Sequence, residues 1–476
     1  MLSTIPDAER KLSYDCLKCV IRQFEANFRF RLAERLPKIS FAEKAAPLYI
    51  SNLRFTEEEF QLNDTEYCLG VVCQARDGPT PVLIKNLNRR GGSTKDLDRF
   101  GFWNHSPPEL TPGDILIYDP EIDMDYDLEV DIELAEGRVL SAQKRLTDLE
   151  RQKMELEYAL EVFGDVPENP LEAIPAEDDL VHPEDQGLSR RGRIKTINNM
   201  IQREKDVMEY EEFDLHCLKC KRDNRSSPYE MFIKLTKTSP DGNVYTERFN
   251  YDKSLKEARK YLICKFLGNR PVVPKIKSLC IWSEPGEGLV IGLPVGIKLD
   301  VQEFGTSRNL SEVLQRVETI LEHPNRPFAT LKSFSLRLED VQNPKVGNAG
   351  VLMLMDNSAL DYVTLCREAP NKEIVIPDGL ELQAGDYLLI VENLIDKKGT
   401  LGTSYEIIIS GEDTMREALG LIAQRFENAV RGERFVYIPI SQQLKLVVFY
   451  KPRVNFRDPN FGLCSVVMKV VQSRNN

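Results

Sequence analysis

The sequence predicts a mixed α+β fold in four parts. These are a helical start, a small irregular β region, an antiparallel, coiled-coil-like αα-hairpin, and a C-terminal α/β domain of leucine-rich-repeat-like character. Three observations carry this reading. A heptad seam runs from 128 to 163. A short apolar string recurs as Ile276-x-x-Leu279-x-Ile281 and Leu331-x-x-Phe334-x-Leu336, with Ile50-x-x-Leu53-x-Phe55 similar. Helix patterns at 309–322, 381–397 and 412–430 separate strand patterns, which favours parallel pairing. The expected boundaries are 10–45, 46–127, 128–216 and 229–476.

The 476 residues leave room for two to four units. Hydrophobic residues make up 42%, enough for real cores. The net charge of −12 opposes general binding to nucleic acid, which needs a surplus of phosphate-neutralising Lys and Arg. No apolar stretch has the length of a signal peptide core or a membrane span. The expectation is therefore a cytoplasmic or nuclear protein that is not secreted, with no nucleic-acid or membrane partner. The ten cysteines are read as reduced thiols.

Ser13 is placed to cap a first helix whose apolar face holds Leu17, Val20, Ile21 and Phe24. A second helix pattern carries Phe28, Leu32, Ala33 and Leu36 and stops at Pro37. About forty residues are too few to be stable alone, so this start must pack on the body or on a partner. Next, Leu48–Phe55 and Thr65–Val72 alternate as strands. Turn-rich segments follow, including Asp77-Gly-Pro79, Arg89-Arg-Gly-Gly-Ser93 and Thr111-Pro-Gly-Asp114.

Leu128, Ala135, Ala142, Leu149, Leu156 and Phe163 fall on one heptad position. Ile132, Val139, Leu146 and Leu160 fall on the other, and only Lys153 breaks the seam. At 1.5 Å per residue this helix extends about 54 Å. The acidic, proline-bearing stretch 164–188 lacks the apolar content of a core and reads as a flexible loop. Beyond it, Ile194, Ile197, Ile201, Met208 and Leu215 form a second stripe. The two helices are expected to pair within one chain, with Glu204 or Glu211 approaching Lys153. The competing arrangement is a homodimeric coiled coil.

The remainder alternates between strands and helices. A hairpin turns at Ser239-Pro-Asp-Gly242, and a helix with Leu255, Ala258, Leu262 and Phe266 ends at Gly268. The tail, Arg434–Tyr450 and Leu463–Val471, reads as antiparallel strands.

Site-type residues are scarce. The histidines are His105, His182, His216 and His323, and no nucleophile elbow, His-Glu-x-x-His pair or Walker loop occurs. Arg89–Thr94 has the glycines of a phosphate cradle but not its Gly-Lys-Ser/Thr ending. The acidic string from Asp119 to Asp127 lacks the glycine a calcium loop needs at its bend. The pairs Cys16/Cys19 and Cys217/Cys220 have zinc-ligand spacing, but 197 residues separate them and free thiols are the base reading. The expectation is no enzyme, no cofactor, no metal ligand and no catalytic residue.

Several strings resemble a large nematode-expanded family of F-box C proteins. They begin with Leu12-Ser-Tyr-Asp-Cys-Leu-Lys-Cys-Val-Ile-Arg-Gln-Phe24 and Arg29-Phe-Arg-Leu-Ala-Glu-Arg-Leu-Pro37. Next come Pro47–Phe55, Asn63-Asp-Thr-Glu-Tyr67, Arg90-Gly-Gly92, Asp96-Leu-Asp98, Gly101-Phe102 and Leu110–Ile115. Farther on are Ile233–Thr236, Leu293-Pro-Val-Gly296 and Gly399–Thr403. The resemblance covers nearly the whole chain. It implies an F-box-like start that docks on a Skp-type adaptor of a cullin ubiquitin ligase, followed by a domain of unknown function. The implied adaptor-binding residues are Leu12, Leu17, Val20, Ile21, Phe24, Leu32 and Leu36. Two features depart from the general F-box pattern: Ser13 follows Leu12 where proline is usual, and the late tryptophan is missing. The leading expectation is a substrate receptor holding an unknown protein substrate. Next come a non-ligase scaffold that joins proteins through its long helices, and then an enzyme without a recognisable motif. Exposure of Leu17, Ile21 and Phe24 on one face favours adaptor docking, and burial against the body favours the scaffold.

Overall fold

A computed structural model describes residues 13–104, 109–118, 127–165, 188–284, 288–355, 360–377, 382–396, 399–410, 412–453 and 463–473. The fold is mixed α+β, as expected. The start comprises α1 (Tyr14–Arg22), α2 (Ala26–Arg35) and α3 (Ser40–Ala45). Ser13 caps α1 by accepting the Cys16 amide. Leu36, ahead of Pro37, leaves the helical region at φ −126° and ψ 77°, as the proline ring demands.

The chain then enters β1 (Tyr49–Phe55), β2 (Glu59–Leu62) and β3 (Thr65–Ala75), followed by α4 (Val82–Arg90) and β4 (Asp114–Tyr118). Two long helices follow, α5 (Leu128–Phe163) and α6 (Arg190–Arg222). They pack antiparallel within the chain. Arg138 binds Glu211 at 2.7 Å and Asp214 at 2.9 Å, Arg145 binds Glu204 at 2.7 Å, and Lys219 binds Glu136 at 2.8 Å. The seam is fully buried near the body at Ile132, Ala135, Val139 and Ala142 on α5, and again at Ile201 on α6, beyond the Arg145–Glu204 pair. Two details differ from expectation. Helix α6 continues past 215 to Arg222. Lys153 meets Glu157 on its own helix at 3.6 Å, because the register sets Glu204 opposite Arg145 and Glu211 opposite Arg138, both nearer the body than Lys153. Most of the expected flexible loop, 166–187, lies outside the described residues.

Next come β5 (Tyr229–Thr238), β6 (Val244–Asn250), α7 (Leu255–Leu267), β7 (Lys275–Ile281), β8 (Leu289–Gly292), β9 (Asp300–Thr306) and α8 (Leu310–Val317). A capping box between Ser254 and Glu257 starts α7. Then follow β10 (Thr330–Ser333), α9 (Pro344–Gly347), β11 (Val351–Leu354), α10 (Tyr362–Glu368), β12 (Glu373–Ile376), α11 (Ala384–Asp396) and β13 (Ser404–Ser410). The chain ends with α12 (Asp413–Arg425), β14 (Val430–Arg431), β15 (Phe435–Pro439), β16 (Leu444–Arg453) and β17 (Leu463–Gln472).

Fifteen of these strands form one sheet, in the order β14-β15-β16-β17-β13-β12-β11-β10-β9-β7-β1-β2-β3-β5-β6. From β13 to β1 every neighbour is parallel, and beyond both ends the pairing is antiparallel. The expected boundaries at 127 and 229 therefore do not divide the sheet. Strand β1 bonds to β7 and β3 to β5 across the hairpin, which is an insertion into one hydrogen-bonded body.

In chain order, the first two apolar strings lie side by side, with Ile50 opposite Ile276, Leu53 opposite Leu279 and Phe55 opposite Ile281. The third is out of step. Leu331 partners Phe304, which partners Leu279, so Leu331 matches the second position of the string. Phe334 and Leu336 fall beyond β10. The result is one buried row, Leu53-Leu279-Phe304-Leu331-Leu352-Ile374-Tyr405, all 3% exposed or less. On the opposite face the neighbouring row of Arg54, Cys280, Lys332, Met353, Val375 and Glu406 stays half-buried.

Leu279→Ala should cost about 3 kcal/mol, the usual loss for an emptied core leucine, measured by urea denaturation. A second prediction concerns Asp114, whose fully buried side chain receives Lys260 at 2.7 Å and Lys256 at 2.9 Å. Burial pushes its carboxyl up, but the bonds from Lys260, Thr111 and Lys256 outweigh this and hold it at about 2. A carboxyl with a lowered folded pKa stabilises above its unfolded value, here 3.8. Thermal melting should therefore show this contribution intact above pH 4 and lost as pH falls toward 2, and Asp114→Asn should flatten that segment.

Candidate partner-binding site

The helical start is held to the sheet by buried polar groups together with the apolar Ala26 and Phe30. The inner face of α2 carries Ala26, Asn27, Arg29 and Phe30, and not the expected Phe28, Leu32 and Leu36. Arg29 donates to the Pro47 carbonyl at 2.7 Å and to the Glu43 and Ala46 carbonyls at 2.9 and 3.1 Å. Its guanidinium also pairs with the Glu43 carboxylate at 3.1 Å. Arg270, from the segment after α7, grips both oxygens of that carboxylate at 2.8 and 3.0 Å. All three side chains are 2% exposed or less. Burial lowers the pKa of each guanidinium, and Glu43 opposes the shift.

Polar contacts around this cluster complete the attachment. Lys44 donates to the carbonyls of Lys265, Phe266 and Gly268, the open end of α7, and burial pulls its ammonium down to about 8. Asn27 donates to the Leu62 carbonyl at 2.9 Å and accepts from the Tyr67 hydroxyl at 2.8 Å. Glu25 caps α2 through the Phe28 amide and receives the Asn63 side chain. Phe30 stacks on Phe266 at 4.6 Å between ring centres.

The seven expected docking residues do not share one surface. Ile21 is 1% exposed, packed with Ala42, Ala46 and Leu17 beneath α3. It belongs to the interior of the start, because α3 turns back over α1. Leu17, Phe24 and Leu32 are partly covered, Val20 and Leu36 are exposed, and Leu12 lies outside the described residues. Residues outside that docking set are exposed as well. Phe41 is 85% exposed, and Phe28 and Tyr14 are also outward. Phe28 meets Phe24 edge-on at 5.0 Å. The signal was present: Phe41 stands beside Ala42 and Glu43, so a buried neighbour turns it outward.

The other candidates resolve as structure. Gly92, at φ +88°, lies so close to the Val71 carbonyl that a side chain would collide with it. The Arg89–Thr94 segment is thus a tight helix exit. It stands at the carbonyl end of α4, the wrong pole for a phosphate. Cys16 and Cys19 are exposed on α1, whereas Cys217 and Cys220 are buried on α6. Sγ of Cys220 lies 3.5 Å from the His216 ring. Among the described residues no group of three His, Cys, Asp or Glu side chains is placed to hold a metal ion. His105, His182 and most of the acidic string from Asp119 lie outside the described residues. No helix among the described residues is long and apolar enough to cross a membrane.

Glu43→Ala strips the shared partner from two buried arginines and should cost about 3–5 kcal/mol. Hydrogen exchange should show protection lost across residues 13–46 while the parallel strands keep theirs. Retained protection of the start would contradict this account.

A family model described as a domain of unknown function (DUF3557) matches residues 254–411. That stretch begins at the cap of α7 and contains β7 to β13. No curated protein and no solved structure matches the chain.

Proposed function

We propose that this chain is a protein-interaction module without catalytic activity, serving as a substrate receptor of a Skp–cullin–F-box type ubiquitin ligase. One observation carries the proposal. A three-helix start whose inner face is anchored by buried charge turns Tyr14, Val20, Phe28, Leu36 and Phe41 outward. Large apolar side chains that face water so densely mark a surface meant to be covered. The resemblance to F-box C proteins names the covering partner as a Skp-type adaptor. The seven parallel strands, with an apolar row inside and a mixed half-open row outside, support a leucine-rich-repeat-like stack. Its open row supplies a surface for a protein substrate.

A second reading, the non-ligase scaffold, draws on the hairpin. Met154, Tyr158 and Val162 recur at four-residue spacing on α5, and all are exposed, as is Phe163. In that reading, the partners meet the protein at the far half of α5.

The two readings separate in one experiment. The full chain is used to capture a purified Skp-type adaptor, with Phe28→Asp and Phe41→Asp beside wild type. Loss of one interface anchor costs about 2 kcal/mol, so capture should fall roughly thirty-fold for each variant. Ile21→Asp should instead loosen the start itself, visible as a lowered melting temperature. Wild-type capture by both Phe variants overturns adaptor docking on this surface. Loss of a cellular partner only on Met154→Asp with Tyr158→Asp favours the scaffold.

A further inference from the structure

The far end of the sheet, away from the parallel run, carries a feature that neither reading uses. Strand β6 is the last strand in the order and pairs only with β5. Seven residues long, it leaves about half of its backbone N–H and C=O groups pointing away from the sheet. Six of its seven side chains are exposed, including Val244, Tyr245 and Phe249. The opposite end of the sheet closes on β14, a strand of two residues. Among the described residues, only this edge therefore offers a long template.

Beside that edge lies a trough of about 450 Å³, walled by α4 and floored by β3, β5 and β6. Its walls are preset. The Asn88 side chain accepts the Cys73 amide at 3.0 Å and donates to the Cys73 carbonyl at 2.7 Å, pinning α4 to β3. Lys234 spans the end of α4, donating to the Asn88 and Arg89 carbonyls. Arg248, on β6 itself, lies flat over Phe232 at 3.6 Å and reaches Gln74. Lys85 projects from α4 and is exposed. Three cations thus converge in a chain of net charge −12, and among the described residues none of the three is paired with a carboxylate. Glu247 also lines the trough, but its charge acts on Tyr245, raising that phenol's pKa, as alternation along a strand places them on one face.

We propose that β6 receives an extended peptide from a partner protein as an added sixteenth strand. An anionic side chain of that peptide, a carboxylate or a phosphorylated serine, enters the trough between Lys85, Lys234 and Arg248. The backbone edge supplies sequence-tolerant hydrogen bonds, and the charged trough supplies selection. This rests on the reading of the chain as a protein-binding module, but not on adaptor docking, whose tested residues Phe28 and Phe41 do not line the trough. Within the ligase reading it gives the substrate class: proteins presenting an acidic or phosphorylated extended segment.

The test uses the full chain and an immobilised ten-residue peptide library in three arms, fixed at the centre on glutamate, phosphoserine or serine. The glutamate or phosphoserine arm should bind at least tenfold better than the serine arm, and the stronger of the two identifies the anion. Lys85→Glu and Arg248→Glu should each abolish that preference, while melting temperature and adaptor capture stay at wild-type values. On saturation with a selected peptide, hydrogen exchange should slow on the β6 amides. Equal binding by all three arms, or an unchanged preference in both variants, overturns the proposal. So does slowed exchange elsewhere with β6 unaffected. Binding of oligouridylate with no peptide preference would assign the trough to RNA, and a concentration-dependent dimer protected on β6 would assign the edge to a second copy. Each of those outcomes also overturns it. Failure of adaptor capture alone leaves this inference standing and removes only the ligase reading.

Discussion

The cluster of Arg29, Glu43 and Arg270 is the contact on which the placement of the helical start depends. Two guanidiniums share one carboxylate out of water, each supplied by a different segment: α2, α3 and the exit of α7. Buried charge of this kind contributes little net stability over an apolar filling, yet it tolerates no alternative partner. It therefore specifies position. An apolar start of forty residues could slide over a greasy surface. This one is keyed, because α3 must present Glu43 and Lys44 together to the carbonyl end of α7. The keyed position turns Phe41 outward and leaves Ile21 inside.

A parallel sheet ordinarily has both faces covered by helices. Here the row through Leu279 and Leu331 is closed, while the row through Lys332 and Met353 remains half-open. Mixed polarity makes that exposure tolerable. Lys332 reaches across to Glu303 at 3.2 Å, so cross-strand charge pairs replace a second layer of helices. The antiparallel flanks then extend the sheet beyond the parallel run on both sides, which is how one hydrogen-bonded body can hold residues 49 to 472.

Much of this was readable from the sequence. Periodicities of 3.5 and 2 residues located α5, α6, the β5–β6 turn and the closing strands, because each is a local pattern that burial must satisfy. The identical spacing of Ile50, Leu53 and Phe55 to Ile276, Leu279 and Ile281 reflected true neighbours 226 residues apart. What failed was non-local. The Leu331 string slid by three positions because β10 is only four residues long and takes its register from Phe304. The boundary expected at 229 vanished because hydrogen bonding between β3 and β5 leaves no trace in either strand's own pattern. Ile21 was misplaced because an apolar helix face looks the same whether it covers a partner or the chain's own α3. The strings that carried the family resemblance prove to be joints. Asn63 and Tyr67 hold α2, Asp96 accepts the Tyr251 hydroxyl and the Leu255 amide, and Leu293 donates to the Gly113 carbonyl.

The hairpin enters and leaves the body at neighbouring points, with Leu128 at one foot and Leu218 packed with Ile132 and Ala135 at the other. Its buried seam is densest at that base, with Ile201 alone among the described residues burying it farther out. Beyond Ala142 the ion pairs Arg145–Glu204 and Glu150–Lys205 tie the two helices to each other. The pair is thus an outrigger of adjustable span. Matched removal of one heptad from each helix shortens its reach by about 10 Å while leaving every strand in place. Whatever the far end meets in the cell, the distance between that contact and the sheet is a quantity natural variation can tune in fixed steps without paying for it in the core.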